Sequence, residues 1–258
     1  MNMPLPPSHT RLSFMQRHIT RAFTWVLFAV AMNSPDCAGA APLTAYTVPV
    51  APWTFPEHPA RGIAPEYLRY LFDTAQVDAN ISTLPYLRAI NGLRDGSNIA
   101  ALLIPDSERD VFALRLCEVT TIKSGLLYKK SRFKNMTLEN LDGLTVGVQR
   151  GTHALDKLAN VPKLRREMID SIDQGVRMLQ VDRLDASFLS NPGIGSMMQS
   201  LGLSPDDYGW LEIDSAPVII YISRKSPLAA DDAALKRMKA VCEGPGKQVM
   251  QKLMQIYQ

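Results

Sequence analysis

An α/β fold is the class this sequence predicts, and three observations predict it. Short apolar runs alternate with stretches whose apolar residues recur every three to four positions. The first of these come in the order strand, helix, strand, helix, strand, the signature of a parallel sheet with helical crossovers. A second unit of the same kind begins near residue 125.

The elements follow in order. Residues 46–50 (YTVPV) read as a first strand with Pro49 near its end, and Trp53 and Phe55 follow in a Pro-rich loop. Pro65 suits the first turn of a helix, and Tyr67, Leu68, Leu71, Phe72 and Ala75 make one apolar face. Residues 80–84 form a short strand. Leu87, Ile90 and Leu93 mark a second helix, ended around Asp95 and Gly96. Residues 99–104 are the next strand. Residues 125–128 are another apolar run, 138–143 a short helix and turn, and 144–148 a strand. Arg150, Gly151, Thr152 and His153 then lead into a helix carrying Leu155, Leu158 and Ala159. Val176 and Leu179 lie on a later helix, 186–189 on a strand, and Met197, Met198 and Leu201 on another helix. Residues 217–223 (PVIIYIS) are a strong β segment. Asp231 caps a helix with Leu235, Met238, Val241 and Cys242, Gly244 to Gly246 break it, and Val249, Met250, Leu253, Met254 and Tyr257 close the chain on a last amphipathic helix. The methionine pairs have the spacing of core faces.

One stretch, residues 102–109 (LLIPDSER), concentrates the chemistry. Pro105 ends the strand because it cannot donate to a ladder, and Asp106 and Ser107 favour a turn or helix cap. Arg109 therefore lies just past the carboxyl end of a strand, where ligands of open α/β sheets gather. A guanidinium can grip a carboxylate with two parallel hydrogen bonds. The alternative is a surface arginine paired with Asp106 or Glu108.

The first forty residues differ from the rest. Arg11, Arg17 and Arg21 precede an uncharged, mostly apolar segment at 22–32, and Ala38, Gly39 and Ala40 supply small residues, the pattern of a cleaved secretory signal. Its core is shorter than the ~20 residues that span a bilayer. Ser34, Pro35 and Asp36 ahead of Cys37 fit a lipoprotein signal poorly. Cleavage near Ala40 and a periplasmic destination are the expectation.

The chain has 258 residues, 46% hydrophobic and 21% charged, an ordinary globular composition. Of 28 basic and 25 acidic side chains, residues 1–40 hold Arg11, Arg17, Arg21 and Asp36, so the remainder carries 25 against 24, a net charge of +1. Nothing there forms the basic stripe a nucleic-acid partner needs. Beyond residue 40 only His58 and His153 remain, too few for a histidine-rich metal site, and no residue pattern calls for a cofactor. Cys117 and Cys242 have no metal-site spacing. Export permits a bridge between them, and two unpaired thiols are the equal alternative.

Several short phrases share an order and spacing. They are Pro52-Trp53, Leu93-Arg94-Asp95-Gly96, Glu108-Arg109, residues 141–148 (LDGLTVGV) with Gly151-Thr152, Arg183-Leu184-Asp185-Ala186, and Ile256-Tyr257. On these the chain from about Tyr46 to Tyr257 resembles solute-binding protein family 3, the periplasmic proteins that serve polar amino-acid ABC transporters, as a divergent member. The resemblance implies a two-lobed type II periplasmic binding protein fold, hinged by two crossover strands at 125–128 and 219–223. Lobe 1 would be 41–124 with 222–258, and lobe 2 would be 125–221. It implies a small anionic or amino-acid-like ligand, an ABC permease or membrane sensor as partner, and a monomer.

The same resemblance assigns roles. Arg109 would hold the ligand's carboxylate, so Arg109→Ala is expected to abolish binding with the melting temperature nearly intact. Gly151 and Thr152 would offer N–H groups and a hydroxyl at a helix start, a ready anion site; a plain N-cap is compatible. Trp53 would stack on the ligand, against simple core packing. Ser190, followed by Asn191, occupies the family's aspartate position, and Asn98 that of another. Leu102, Leu103 and Ile104 stand where many amino-acid binders carry hydroxyls. The half of the site that grips an ammonium is thus missing, and a buried ammonium without a partner is costly. A carboxylate with an apolar or aromatic body is the ligand this implies. Sensing rather than transport is a second reading. An exported dehydratase is a third, with Glu66, Asp106, Glu108 and His153 as acid–base candidates.

Overall fold

The computed structural model describes residues 43–150, 158 and 161–257. The signal expected at 1–40, Gly151, Thr152 and His153, and most of the helix expected after them lie outside the described residues.

Strand β1 (Leu43–Thr47) starts three residues before the expected strand and stops before Val48. It pairs in parallel with β2 (Ala79–Thr83). Helix α1 (Ile63–Ala75) joins them and buries Ile63, Tyr67, Leu68, Leu71 and Ala75, the one-faced spacing seen in the sequence. Helix α2 (Tyr86–Asp95) ends at Gly96, whose φ of 98° is the left-handed cap glycine favours. Strand β3 (Ala100–Leu103) leads to the short helix α3 (Ser107–Phe112).

Strand β4 then runs unbroken over Ala113–Lys129. Its antiparallel partner β8 covers Tyr208–Ser223, so Ala113 meets Ser223 at one end and Lys129 meets Tyr208 at the other. Neither length was legible, because Arg115, Glu118 and Lys123 interrupt the apolar run of β4. Those side chains are exposed while Ala113, Cys117, Val119 and Ile122 are buried. Three register shifts in the pairing explain why no clean period of two survives.

Strands β5 (Thr145–Gln149), β6 (Arg165–Ile169) and β7 (Ala186–Asn191) complete a six-stranded sheet in the order β3-β8-β4-β7-β5-β6. β6, with Arg165, Arg166 and Glu167 exposed, is a charged edge strand that apolar pattern alone does not reveal. The sheet is mixed and not parallel throughout: β3, β4, β7 and β8 pair antiparallel, and β5 pairs in parallel with β6 and β7. Helices α4 (Ile172–Gln180), α5 (Ile194–Ser200), α6 (Asp232–Glu243) and α7 (Pro245–Ile256) follow the expected order. Met197, Met198 and Met250 are buried, as core faces require.

Two large cores flank the middle of the long strands. One gathers α1, α6 and α7 around Leu116, Val119, Ile122, Val218 and Ile220. The other gathers Leu126, Val146, Val148, Phe188 and Ile213. The chain passes between them after Ile122 on β4 and before Val218 on β8. Cys117 on β4 is disulfide-bonded to Cys242 on α6, with Cα atoms 6.5 Å apart, which settles the open pairing and staples a helix to the strand.

Candidate functional site

A cleft of about 720 Å³ is lined by residues from both cores, among them Ile122 and Val218 from one and Phe188 from the other. Loops that follow the ends of β1 and β3 form one wall.

On that wall stands Arg109. Asp106 caps α3, its side chain accepting from the Glu108 N–H at 2.8 Å. This fixes the helix so that Arg109 is only 4% exposed while still lining the cleft. Its Nη1 donates to the Ile104 carbonyl, its Nη2 donates to the Tyr86 hydroxyl at 3.2 Å, and its guanidinium carbon lies 5.3 Å from the centre of the Tyr221 ring. The Asp106 carboxylate balances its charge from 3.6 Å. That separation exceeds the ~2.7–2.9 Å of a charge-assisted hydrogen bond. Two hydrogen bonds use two of the five guanidinium donors, and the buried Nε has no partner. Of the surface-pair alternative the ion pair with Asp106 is present and the surface position is not, since Arg109 is buried at the cleft.

A polar chain continues beyond it. The Tyr221 hydroxyl accepts from the Asp106 N–H at 3.3 Å and donates to Asp110 at 3.1 Å. Arg115, also at the cleft, donates from Nε at 2.7 Å and Nη2 at 2.5 Å to the two Asp110 oxygens. Those bonds hold the Asp110 carboxyl below the usual carboxylate range. Burial pushes the Tyr86 hydroxyl up, so it stays protonated beside Arg109 at neutral pH.

Trp53 lines the cleft and also packs against the first core. Its loop is anchored by α1: the Pro52 and Trp53 carbonyls accept from the N–H groups of Ile63 and Ala64 at 3.1 and 2.8 Å. Gly62, at φ 121°, permits this, since a Cβ there would sit 2.7 Å from the Trp53 oxygen.

Ser190 lines the cleft and its hydroxyl lies 2.8 Å from that of Ser124. Asn191 is exposed and outside the lining, because it is the next residue of β7 and faces away. Asn98 is fully buried and organises backbone: it accepts from Tyr46 and Ala100 N–H groups and donates to the Ala89 carbonyl. Glu66 accepts from the Gly62 N–H at 3.1 Å and from the Tyr257 hydroxyl, away from the cleft lining. Gly151, Thr152 and His153 lie outside the described residues.

Three acidic residues line the cleft, Asp106, Glu108 and Asp214. Asp214, Ser124 and Arg115 were missed because they belong to the unread parts of β4 and β8, where only strand register brings them to the site.

No protein-family profile and no curated protein sequence matches the chain. Solved structures do. The substrate-binding protein of an amino acid ABC transporter aligns with TM-score 0.68 at 14% identity, over 84% of this chain and 98% of that one. The VFT2 domain of Bordetella pertussis BvgS aligns with TM-score 0.70 at 16% identity, over 84% and 93%. The GluR0 ligand-binding core in complex with L-glutamate aligns with TM-score 0.68 at 15% identity, over 85% and 99%. At these identities the likeness establishes the fold, the two-lobed α/β architecture that the resemblance implied.

Proposed function

We propose that this chain is an exported binding protein whose cleft captures a small carboxylate-bearing solute, amino-acid-like or an organic acid, for delivery to an ABC permease or a membrane sensor. The observation that carries the reading is Arg109: a guanidinium 4% exposed, lining a large cleft, with donors still uncommitted. The likeness to binding proteins that share the fold supports it, and so does the export pattern at 1–40, which points to the periplasm. We take lobe 1 as residues up to about 122 with those from about 218, and lobe 2 as about 126–213. This moves the second boundary from 221/222 towards Val218, because Val218, Ile220 and Ile222 pack in the first core.

The energetics suit capture and release. Micromolar affinity needs about −8 kcal/mol. One hydrogen bond to a charged group supplies about 1.5–3 kcal/mol. Apolar cleft residues such as Trp53, Ile122 and Phe188 must contribute much of the rest through buried area, at roughly 25 cal/mol per Å².

The test needs care with stability. Asp106 is only 7% exposed at its side chain. Breaking a buried pair by removing one partner costs on the order of 3 kcal/mol. Arg109→Ala is therefore expected to lower the melting temperature, contrary to the sequence expectation. The double variant Arg109→Gln/Asp106→Asn removes both charges together. Calorimetry with L-amino acids and with aromatic and short-chain carboxylates should find a micromolar ligand for the wild type. The double variant should bind it at least about tenfold more weakly, and retained affinity would place the carboxylate elsewhere.

A further inference from the structure

The loop between β1 and α1 that carries Trp53 closes on itself. The Thr54 N–H donates to the Val50 carbonyl at 3.0 Å, and the Phe55 N–H to the Arg61 carbonyl at 3.2 Å. Tyr257, the C-cap of α7, meets this region twice. Its ring centre lies 5.6 Å from that of Phe55, with the planes 50° apart. Its hydroxyl donates to Oε1 of Glu66 on α1, and the same oxygen accepts from the Gly62 N–H at 3.1 Å.

The first N–H groups of a helix have no partner within it. Around the start of α1 those of Ile63 and Ala64 go to the Pro52 and Trp53 carbonyls, and that of Gly62 goes to Glu66. The backbone of Trp53 is thus set by the entry into α1, and Glu66 holds that entry. A half-buried carboxylate with one bond keeps rotamer freedom, and a second bond removes it. Tyr257 supplies that bond from 191 residues away in sequence. Burial, helped by Glu66, pushes the Tyr257 hydroxyl up, so it remains a donor at neutral pH. Trp53 lines the cleft, whereas Tyr257 and Glu66 are outside the lining.

We infer that Tyr257 and Glu66 are positioning residues of the cleft: the hydroxyl-to-carboxylate strut they form fixes the turn at Gly62, and through it the place of Trp53 on the cleft wall. This rests on the cleft being the binding site proposed above. It gives Glu66, an acid–base candidate in the sequence, a role at one remove from any ligand.

Fluorescence of the ligand-free protein tests it. Trp25→Phe with Trp210→Phe leaves Trp53 as the only tryptophan, and Trp25→Phe with Trp53→Phe leaves Trp210, a reporter on β8. Tyr257→Phe keeps a ring against Phe55 and removes only the hydroxyl. Glu66→Ala removes the acceptor, and Glu66→Gln keeps an oxygen there. Tyr257→Phe and Glu66→Ala should each populate a displaced loop about three- to tenfold more, the worth of one hydrogen bond. The readout is a rise in acrylamide quenching of Trp53, with Trp210 quenching and circular dichroism as in wild type. Glu66→Gln should restore most of the Trp53 signal. With all tryptophans in place, any member of the panel of L-amino acids and carboxylates that binds wild type should bind Tyr257→Phe and Glu66→Ala about three- to tenfold more weakly. Unchanged Trp53 quenching in both variants overturns the strut. An equal rise for Trp210 does so too, since it marks general loosening, and so does full affinity beside a displaced Trp53. A wild type that binds nothing in the panel removes the carboxylate reading, and the ligand-free fluorescence still decides the strut. If neither variant folds, hydrogen exchange of the wild type decides: a protected Gly62 amide supports the strut, and an unprotected one overturns it.

Discussion

Asp110 shows how one side chain can join a binding wall to the sheet behind it. Its carboxylate accepts both guanidinium bonds of Arg115 and the hydroxyl proton of Tyr221, one residue after Arg109 on the cleft wall. Its pKa is depressed, chiefly by the bonds from Arg115. The stabilising contribution of such a group is present above the ordinary carboxylate range, about pH 4, and is lost as pH falls through the depressed value. Asp110→Asn should therefore flatten the acid limb of a melting-temperature profile below about pH 4 and change little at pH 7. The pair is 47% and 37% exposed, so solvent screens it and the effect is small, within about 1 kcal/mol. An acid limb identical to wild type would show that Arg115 gains nothing from Asp110.

At the level of elements, two long strands do most of the positioning. β4 and β8 serve both cores, and their central rows supply the cleft floor. Helix α6 is held to β4 by packing and by the Cys117–Cys242 bridge, whose ends lie 125 residues apart. A loop of that length lends a disulfide about 4–5 kcal/mol in the chain-entropy account. Replacing both cysteines by alanine, or adding reductant, should lower the melting temperature by several degrees or more. Unchanged melting in reductant would mean that the bridge restrains nothing the packing does not already hold.

On the scale of the whole molecule, a close approach brings together chain segments distant in sequence. Gly193, following β7, sits where a Cβ would lie 2.8 Å from the Ala51 carbonyl oxygen and 3.0 Å from Pro52 Cδ, at a φ of 133° that glycine alone adopts easily. Ala51 and Pro52 belong to the loop that carries Trp53. Gly193→Val should push the two segments apart and weaken ligand binding by about tenfold or more, beyond the roughly 1–3 kcal/mol of stability lost to backbone strain. Calorimetry beside thermal melting separates the two effects. Full affinity in that variant would show that the approach has no part in holding the ligand.

Local chemistry made most of the elements readable from residues alone. α1, α2 and α4 carry one-faced apolar spacing, β3 ends where proline removes a donor, and Asp106 caps the helix of Arg109 as its position promised. Arg109 and Trp53, which both line the cleft, were readable for the same reason, since both belong to short phrases next to strand ends. β6 and the full lengths of β4 and β8 were not readable, because charged residues on an exposed face hide a strand whose pairing, not its own propensity, makes it one. Ser124, paired across the sheet with Ser190 on one side and Asp214 on the other, all three at the cleft, is the sharpest case. Its members lie tens of residues apart, each ordinary in its own neighbourhood. Only the register of three strands sets them side by side, because cross-strand adjacency depends on how β4 pairs with two partners and is written in no single stretch of chain.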